Sequence, residues 1–386
     1  MSELIDGSVP PLRTLLAYVT NRCNLRCRHC YIDPVFSVPG SDPNEVSCQK
    51  LKNAVDQAIE LGLQAVRFTG GEPFMRPDLL DLVHHIDSKN VRVILETNGT
   101  LISDAEAAAL GSLKRSDVWV SVSLDGATAA VHEAIRGVRG CFDLALRGMD
   151  HLVRRKVAPQ VIATLMELNR DEMEDIVRLS AERGASSFKF NVLHRTGRGR
   201  MVAGDADLPA IMGMDKRLCR LSESLGLDYC SPLPPALQSI PRLIQFDSLN
   251  RRCDLHHTLG ILWDGTWSSC GMGKYLSEFR FGNVDKDPIK LIWSRNATIQ
   301  HMRDCIPKNL EGICSECIMR NRCAGYCRLD NEGVTLDSLC HSHWMCREAD
   351  RLNLFPAGRR FRWPNMSGVS AAPGGRQAGS PTSPPS

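Results

Sequence analysis

Two hydrophobic patterns alternate through the first two hundred residues. Short apolar runs, Leu15-Leu16-Ala17-Tyr18-Val19-Thr20 and Ala65-Val66-Arg67-Phe68-Thr69, read as buried strands. Between them Leu51, Val55, Ala58 and Ile59 recur at helical spacing, predicting a helix from about Ser47 that ends at Gly62. The alternation goes on with helices near 79–86, 105–110, 145–153 and 173–181. Strands follow them at 91–95, 118–124, 161–166 and 188–192. Six strands separated by helices predict βα units of a parallel sheet with right-handed crossovers. The chain before residue 200 is too short for an eight-fold barrel, so the expected α/β fold is a partial, TIM-like (β/α)6 barrel over 1–200.

Periodicity weakens over 201–252, which is read as a bridge. From Cys253 the pattern changes to cysteine-rich loops with short strands, such as 260–263, predicting a second domain over 253–350. A C-terminal extension is expected over 351–366. The tail 367–386 is nearly all Gly, Pro, Ser and Ala, cannot bury enough apolar surface to order itself, and is expected to be disordered.

Composition narrows the function classes. Among 386 residues, 43% are hydrophobic and 24% charged, as in a soluble globular protein with room for a large core. A net charge of +3 is too small to argue for nucleic acid or a membrane surface. No long uncharged apolar run occurs, and the first residues lack the regions of a signal peptide, so a cytoplasmic location is expected. With few residues before the first strand, no N-terminal accessory module is expected. Sixteen cysteines in a reducing compartment point to metal or redox chemistry rather than a disulfide framework.

Three of them lie in Cys23-Asn-Leu-Arg-Cys27-Arg-His-Cys30, on a loop just past the first strand, where α/β sheets place their chemistry. Closed structural sites take four protein ligands, whereas reactive sites keep one position open. A zinc knuckle is the alternative, but His29 is awkwardly placed to close it. The spacing, followed by Tyr31, resembles the signature of the radical S-adenosylmethionine (radical SAM) superfamily. The resemblance implies a [4Fe–4S] cluster on Cys23, Cys27 and Cys30, with SAM on the fourth iron.

Gly70-Gly71-Glu72-Pro73 follows the second strand. Its glycines permit close backbone approach to a ligand, and its carboxylate can accept from an ammonium. In the family, a motif at this place contacts the SAM amino group. Asn98, Ser123 and Asp125 end strands and could bond ribose hydroxyls. Arg136 resembles the family arginine that pairs with the SAM carboxylate, a task suited to a bidentate guanidinium. Tyr31 and Leu193 are candidates to flank the adenine.

The second constellation begins with Cys253, then eleven residues, Gly265, four more and Cys270. Cys314-x2-Cys317-x5-Cys323-x3-Cys327, Cys340 and Cys346 follow. The spacings resemble the SPASM extension, which implies two auxiliary [4Fe–4S] clusters. Cys253, Cys270 and Cys327 would serve the first. Cys314, Cys317 and Cys323, with Cys346 or Cys340, would serve the second. The cysteine that completes the first cluster in fully ligated relatives, shortly upstream of Cys253, is missing. Either Cys230 reaches in, or one iron is open and binds substrate. Two zinc ribbons are the alternative for the whole set. Cys48, Cys141, Cys219 and Cys305 have no expected ligand role.

The resemblance further implies that the reduced cluster cleaves SAM to a 5′-deoxyadenosyl radical, which takes hydrogen from an unactivated substrate carbon. The expected function is maturation of a ribosomally made peptide, by cross-linking, epimerisation or a related oxidation. Oxidation of a protein side chain, as in sulfatase maturation, or of a tetrapyrrole propionate is the alternative. A non-catalytic iron–sulfur carrier or zinc scaffold is opposed by the GGEP motif and Arg136. Expected partners are a precursor peptide or protein substrate, an electron donor of the flavodoxin or ferredoxin type and a separate leader-binding protein.

Overall fold

A computed structural model describes residues 9–113, 117–202, 207–245, 255–324, 326–328, 331 and 333–361. Cys253 and the tail expected to be disordered lie outside the described residues.

The strands are β1 (Thr14–Thr20), β2 (Arg22–Cys23), β3 (Val35–Phe36), β4 (Ala65–Gly70), β5 (Arg92–Thr97) and β6 (Val118–Ser123). They continue with β7 (Gln160–Leu165), β8 (Ser187–Val192), β9 (Asp228–Cys230), β10 (Thr258–Ile261), β11 (Thr266–Ser268) and β12 (Arg280–Asn283). Ten of them form one sheet in the order β12-β11-β10-β1-β4-β5-β6-β7-β8-β9. The six expected strands are contiguous and parallel within it. The ends, β9 and β12, do not pair with each other, so the barrel stays partial.

Regions read as bridge and as cysteine-rich loops both extend this sheet. Strand β9 adds in parallel beside β8, and β10 adds in parallel beside β1, with Thr14 opposite Thr258. The bridge also holds helix Leu208–Ser224, whose buried Leu208, Ile211, Met214 and Leu218 follow helical spacing. Asp207 caps it by accepting from the Ala210 N–H, with a proline in the first turn.

Alternation along the strands separates two environments. On β5, Val93 and Leu95 are wholly buried in the main hydrophobic core, while Arg92, Ile94 and Glu96 line the barrel interior. Helices cover the outer face; Cys48–Glu60, capped by Ser47, buries Leu51, Ala54, Val55 and Ala58. Among the described residues no helix is long and apolar enough to cross a membrane.

Candidate functional site

The cysteine loop is held by backbone bonds to several elements. Arg26 and Arg28 N–H donate to the Arg136 and Ile135 carbonyls at 3.0 and 2.9 Å, satisfying carbonyls at the end of helix Ala129–Arg136. Gly137 ends that helix at φ +75°, where a Cβ would meet the Arg26 carbonyl at 2.7 Å. Arg198 donates through Nε to the Cys27 carbonyl at 2.7 Å and through its amide to the Cys30 carbonyl. Lys274 Nζ and the Tyr275 hydroxyl donate to the Ile32 carbonyl.

Cys23 and Cys27 are buried and Cys30 is half-buried; Cys141 packs behind the first two. Burial pushes the Cys23 and Cys27 thiols up, so positive charge must be supplied for them to ionise. Donors are already aimed at both sulfurs. Leu25 N–H and Asn98 Nδ2 approach Cys23 Sγ at 3.4 and 3.9 Å, and Arg136 Nη1 approaches Cys27 Sγ at 3.7 Å. Hydrogen bonds to sulfur suit thiolates that ligate a cluster.

The Gly70-Gly71 turn docks on the cysteine loop itself. A Cβ on Gly71 would meet the Arg22 carbonyl at 2.0 Å, and one on Gly70 would meet that of Thr20 at 2.6 Å. These glycines thus permit close approach of the chain's own backbone. Glu72 is 1% exposed. Its Oε1 accepts from the Thr97 hydroxyl and the Phe74 N–H, and its Oε2 from the Asn98 N–H. Burial raises Glu72 to about 7 against these three donors. The carboxylate ties the turn to the end of β5, with Pro73 buried behind it. Asn98 in turn donates to Asn24 Oδ1 at 2.8 Å.

Asp125 and Arg136 meet in a buried ion pair. Asp125 Oδ2 lies 2.7 Å from Arg136 Nη2 and 3.5 Å from His29 Nε2, while Oδ1 accepts from the Thr164 N–H. Burial alone would raise Asp125, but the Arg136 guanidinium and His29 beside it hold it below the usual carboxylate range. Burial lowers His29 to about 4, leaving it neutral. Arg136 is thus no surface arginine. Ser123 is half-buried at the end of β6, Leu193 packs with Ile135 and Met166, and Tyr31 bonds Tyr18 between hydroxyls at 3.2 Å.

The C-terminal cysteines sort themselves. Cys346, whose thiol is pushed up by burial, lies among Cys314, Cys323 and Cys317. Here too donors reach sulfur, Arg328 Nη2 to Cys314 at 3.6 Å and Met319 N–H to Cys317 at 3.4 Å. Cys340 instead bonds Cys305, whose thiol is pushed up to about 12 by burial and by that neighbour. Among the described residues no three His, Cys, Asp or Glu converge on a single-ion site.

One cavity of about 970 Å³ is lined by His29 and Tyr31 from the cysteine loop, by Tyr18, and by Cys230, Cys270, Cys323 and Cys327. The sequence reading missed its polar lining. Arg67 Nη1 bonds Glu96 Oε1 at 2.8 Å across β4 and β5, and Lys189 lines the cavity from β8. The signal was present as charged residues at alternate positions in otherwise apolar strands.

Comparison with known proteins matches residues 17–180 to the radical SAM superfamily and residues 253–318 to SPASM, an iron–sulfur cluster-binding domain. The AdoMet-dependent heme synthase of Oleidesulfovibrio alaskensis is 29% identical over 347 residues, spanning 84% of each chain. The mycofactocin maturase MftC of Mycolicibacterium smegmatis is 34% identical over 188 residues, covering 48% of this chain and 46% of its own. The crystal structure of Streptococcus suis SuiB bound to its precursor peptide SuiA superposes with a TM-score of 0.68 at 17% identity. That match covers 86% of this chain and 76% of SuiB, and it shows a common fold.

Proposed function

The chain belongs to the radical SAM superfamily and carries a SPASM domain, and on that premise we propose that it oxidises a carboxylate-bearing tetrapyrrole. Such a protein binds a [4Fe–4S] cluster with SAM in its barrel and auxiliary iron–sulfur clusters in its SPASM domain. Together these groups supply one-electron cleavage of SAM and removal of a hydrogen atom from substrate carbon.

We assign Cys23, Cys27 and Cys30 to the barrel cluster. Cys314, Cys317, Cys323 and Cys346 hold the second auxiliary cluster, and Cys270 and Cys327, with Cys253, hold the first. Asn98 and Arg136 stabilise thiolates in the loop, and the Glu72 clamp fixes the glycine turn beside it. If so, Cys346→Ala should lose about a third of the iron, by the arithmetic of three four-iron clusters. Cys340→Ala should keep all of it. Iron analysis of the two reconstituted variants checks this; iron lost from Cys340→Ala and kept by Cys346→Ala would reverse the choice.

The cationic lining of the cavity carries the substrate reading. Arg13, Arg67, Arg92, Lys189, Arg242 and Arg322 face it, against Glu96 and Asp117. Pairs such as Arg67–Glu96, Arg92–Asp117 and Arg242–Asp215 hold several of these side chains in place. A lining with more cationic than anionic side chains suits an anion with several carboxylates. The match to the heme synthase, which runs through both domains, supports the same substrate class. Peptide maturation is the second reading, favoured by the higher identity to MftC over about half of the chain. The volume, near the upper end for ligand pockets, would admit either.

Anaerobic turnover with iron-coproporphyrin III and its methyl ester separates the readings. The free acid should raise 5′-deoxyadenosine release and yield a porphyrin of lower mass, while the ester should not. Release indifferent to both, but stimulated by a short peptide encoded beside the gene, would give the second reading the site.

A further inference from the structure

We propose that Cys305 and Cys340 form a redox-modifiable dithiol site. A low-molecular-weight disulfide such as oxidised glutathione converts the pair to an internal disulfide, which staples the segment carrying four auxiliary ligands. Neither cysteine is assigned to a cluster, and the fold brings them together. Cys305 ends helix Ala297–Cys305 and is 6% exposed, whereas Cys340 ends the turn Asp337–Cys340 and is half-buried. Their side chains are hydrogen-bonded to each other. The backbone supports this placement from both sides. Asn309 N–H donates to the Cys305 carbonyl at 2.9 Å, and Glu311 N–H donates to the Cys340 carbonyl at 2.8 Å. His301, one helical turn before Cys305, places Nε2 3.4 Å from its sulfur. Among the described residues these donors do not converge as a metal site, so thiol–disulfide exchange is the chemistry the pair suits.

Exposure sets the order of events. Cys340 meets the oxidant first and, as its thiolate, attacks one sulfur of glutathione disulfide. A mixed disulfide forms, and the first glutathione leaves with the proton that Cys340 gave up. Cys305 then attacks the Cys340 sulfur, its own proton passing through His301 Nε2 to the second departing glutathione. The two protein thiols lose two electrons and two protons, and one small disulfide gains them as two thiols. The new bond spans 306–339, which carries Cys314, Cys317, Cys323 and Cys327. Ser342, two residues past Cys340, already fastens this segment. Its hydroxyl accepts from the Cys314 N–H at 3.1 Å and donates to the Glu311 carbonyl at 2.7 Å. The staple therefore closes where the second auxiliary cluster is held, and it restricts opening of that segment.

The test treats anaerobically reconstituted holoprotein with oxidised glutathione, then alkylates it and maps its peptides by mass spectrometry. Cys305 and Cys340 should be recovered as one disulfide-linked pair, returned to thiols by dithiothreitol. Cys305→Ser should stop at a glutathione adduct on Cys340, and Cys340→Ser should leave the buried Cys305 unmodified. Oxidised wild type should lose iron to a chelator about threefold more slowly than reduced wild type, a difference that Cys305→Ser abolishes. Reduced samples of both variants should match wild type in iron content and SAM cleavage, which reports on the cluster assignment apart from the staple. Separate glutathione adducts in the wild type, no modification at all, or equal rates of iron loss would overturn the proposal. Iron missing from reduced Cys340→Ser would make Cys340 a ligand and overturn it as well.

Discussion

Replacing Cys23, Cys27 and Cys30 by alanine should abolish SAM cleavage and remove about a third of the iron from anaerobically reconstituted protein. Only a third should go because the loop's shape does not depend on its thiols. The N–H groups of Arg26 and Arg28 still cap helix Ala129–Arg136, and Arg198 still holds the Cys27 carbonyl. The auxiliary ligands lie in a separate stretch of chain, with Cys314, Cys317, Cys323 and Cys346 gathered by their own contacts. Iron and sulfide analysis with an assay for 5′-deoxyadenosine checks both halves of the prediction. Loss of all the iron would make the clusters interdependent. Zinc in place of iron in carefully prepared wild type would return the cysteines to a structural role.

Covalent spacing carries that prediction, and covalent spacing is legible in the chain itself. Three thiols in eight residues on one loop are near each other in any fold, and the βα alternation before residue 200 places that loop at a strand end. What the sequence could not show is partnership across distance. Nothing in the spacing separates Cys340 from Cys346; in the fold, helix Ala297–Cys305 brings Cys305 against Cys340, while Cys346 lies beside Cys314, Cys317 and Cys323. Strand β10, read as belonging to the second domain, pairs with β1 because parallel neighbours need no closeness in sequence. The roles read for Glu72 and Asp125 were those of side chains available to a ligand. Their hydrogen bonds to Thr97, Asn98, Phe74 and Thr164 depend on a packing that only the folded chain reveals.

Arg136→Ala should be the most damaging single change away from the cysteines, and its damage should be to stability. A SAM carboxylate contact alone would predict weaker SAM binding in an intact protein, by on the order of 1.5–3 kcal/mol. The buried ion pair makes the loss greater. Asp125 has no exposed surface and keeps its charge beside the Arg136 guanidinium at 2.7 Å. Removing the cation leaves that carboxylate buried, at a cost of about 3–5 kcal/mol. The sign with pH follows. In the wild type Asp125 sits below its unfolded value of roughly 3.9, so the pair stabilises fully above that pH and is lost as pH falls through the depressed value. In the variant burial is no longer opposed by the guanidinium and pushes Asp125 upward. The penalty should therefore be greatest near pH 7 and shrink as pH falls toward about 4, where the unfolded carboxyl also takes up its proton. Adding Asp125→Asn should recover part of the loss, since no charge is then stranded. Denaturant midpoints of the two variants at pH 7 and pH 5, beside SAM titrations, test this. A single variant as stable as wild type at pH 7, with only its SAM affinity reduced, would show that Asp125 does not depend on Arg136 and that the guanidinium serves the ligand alone.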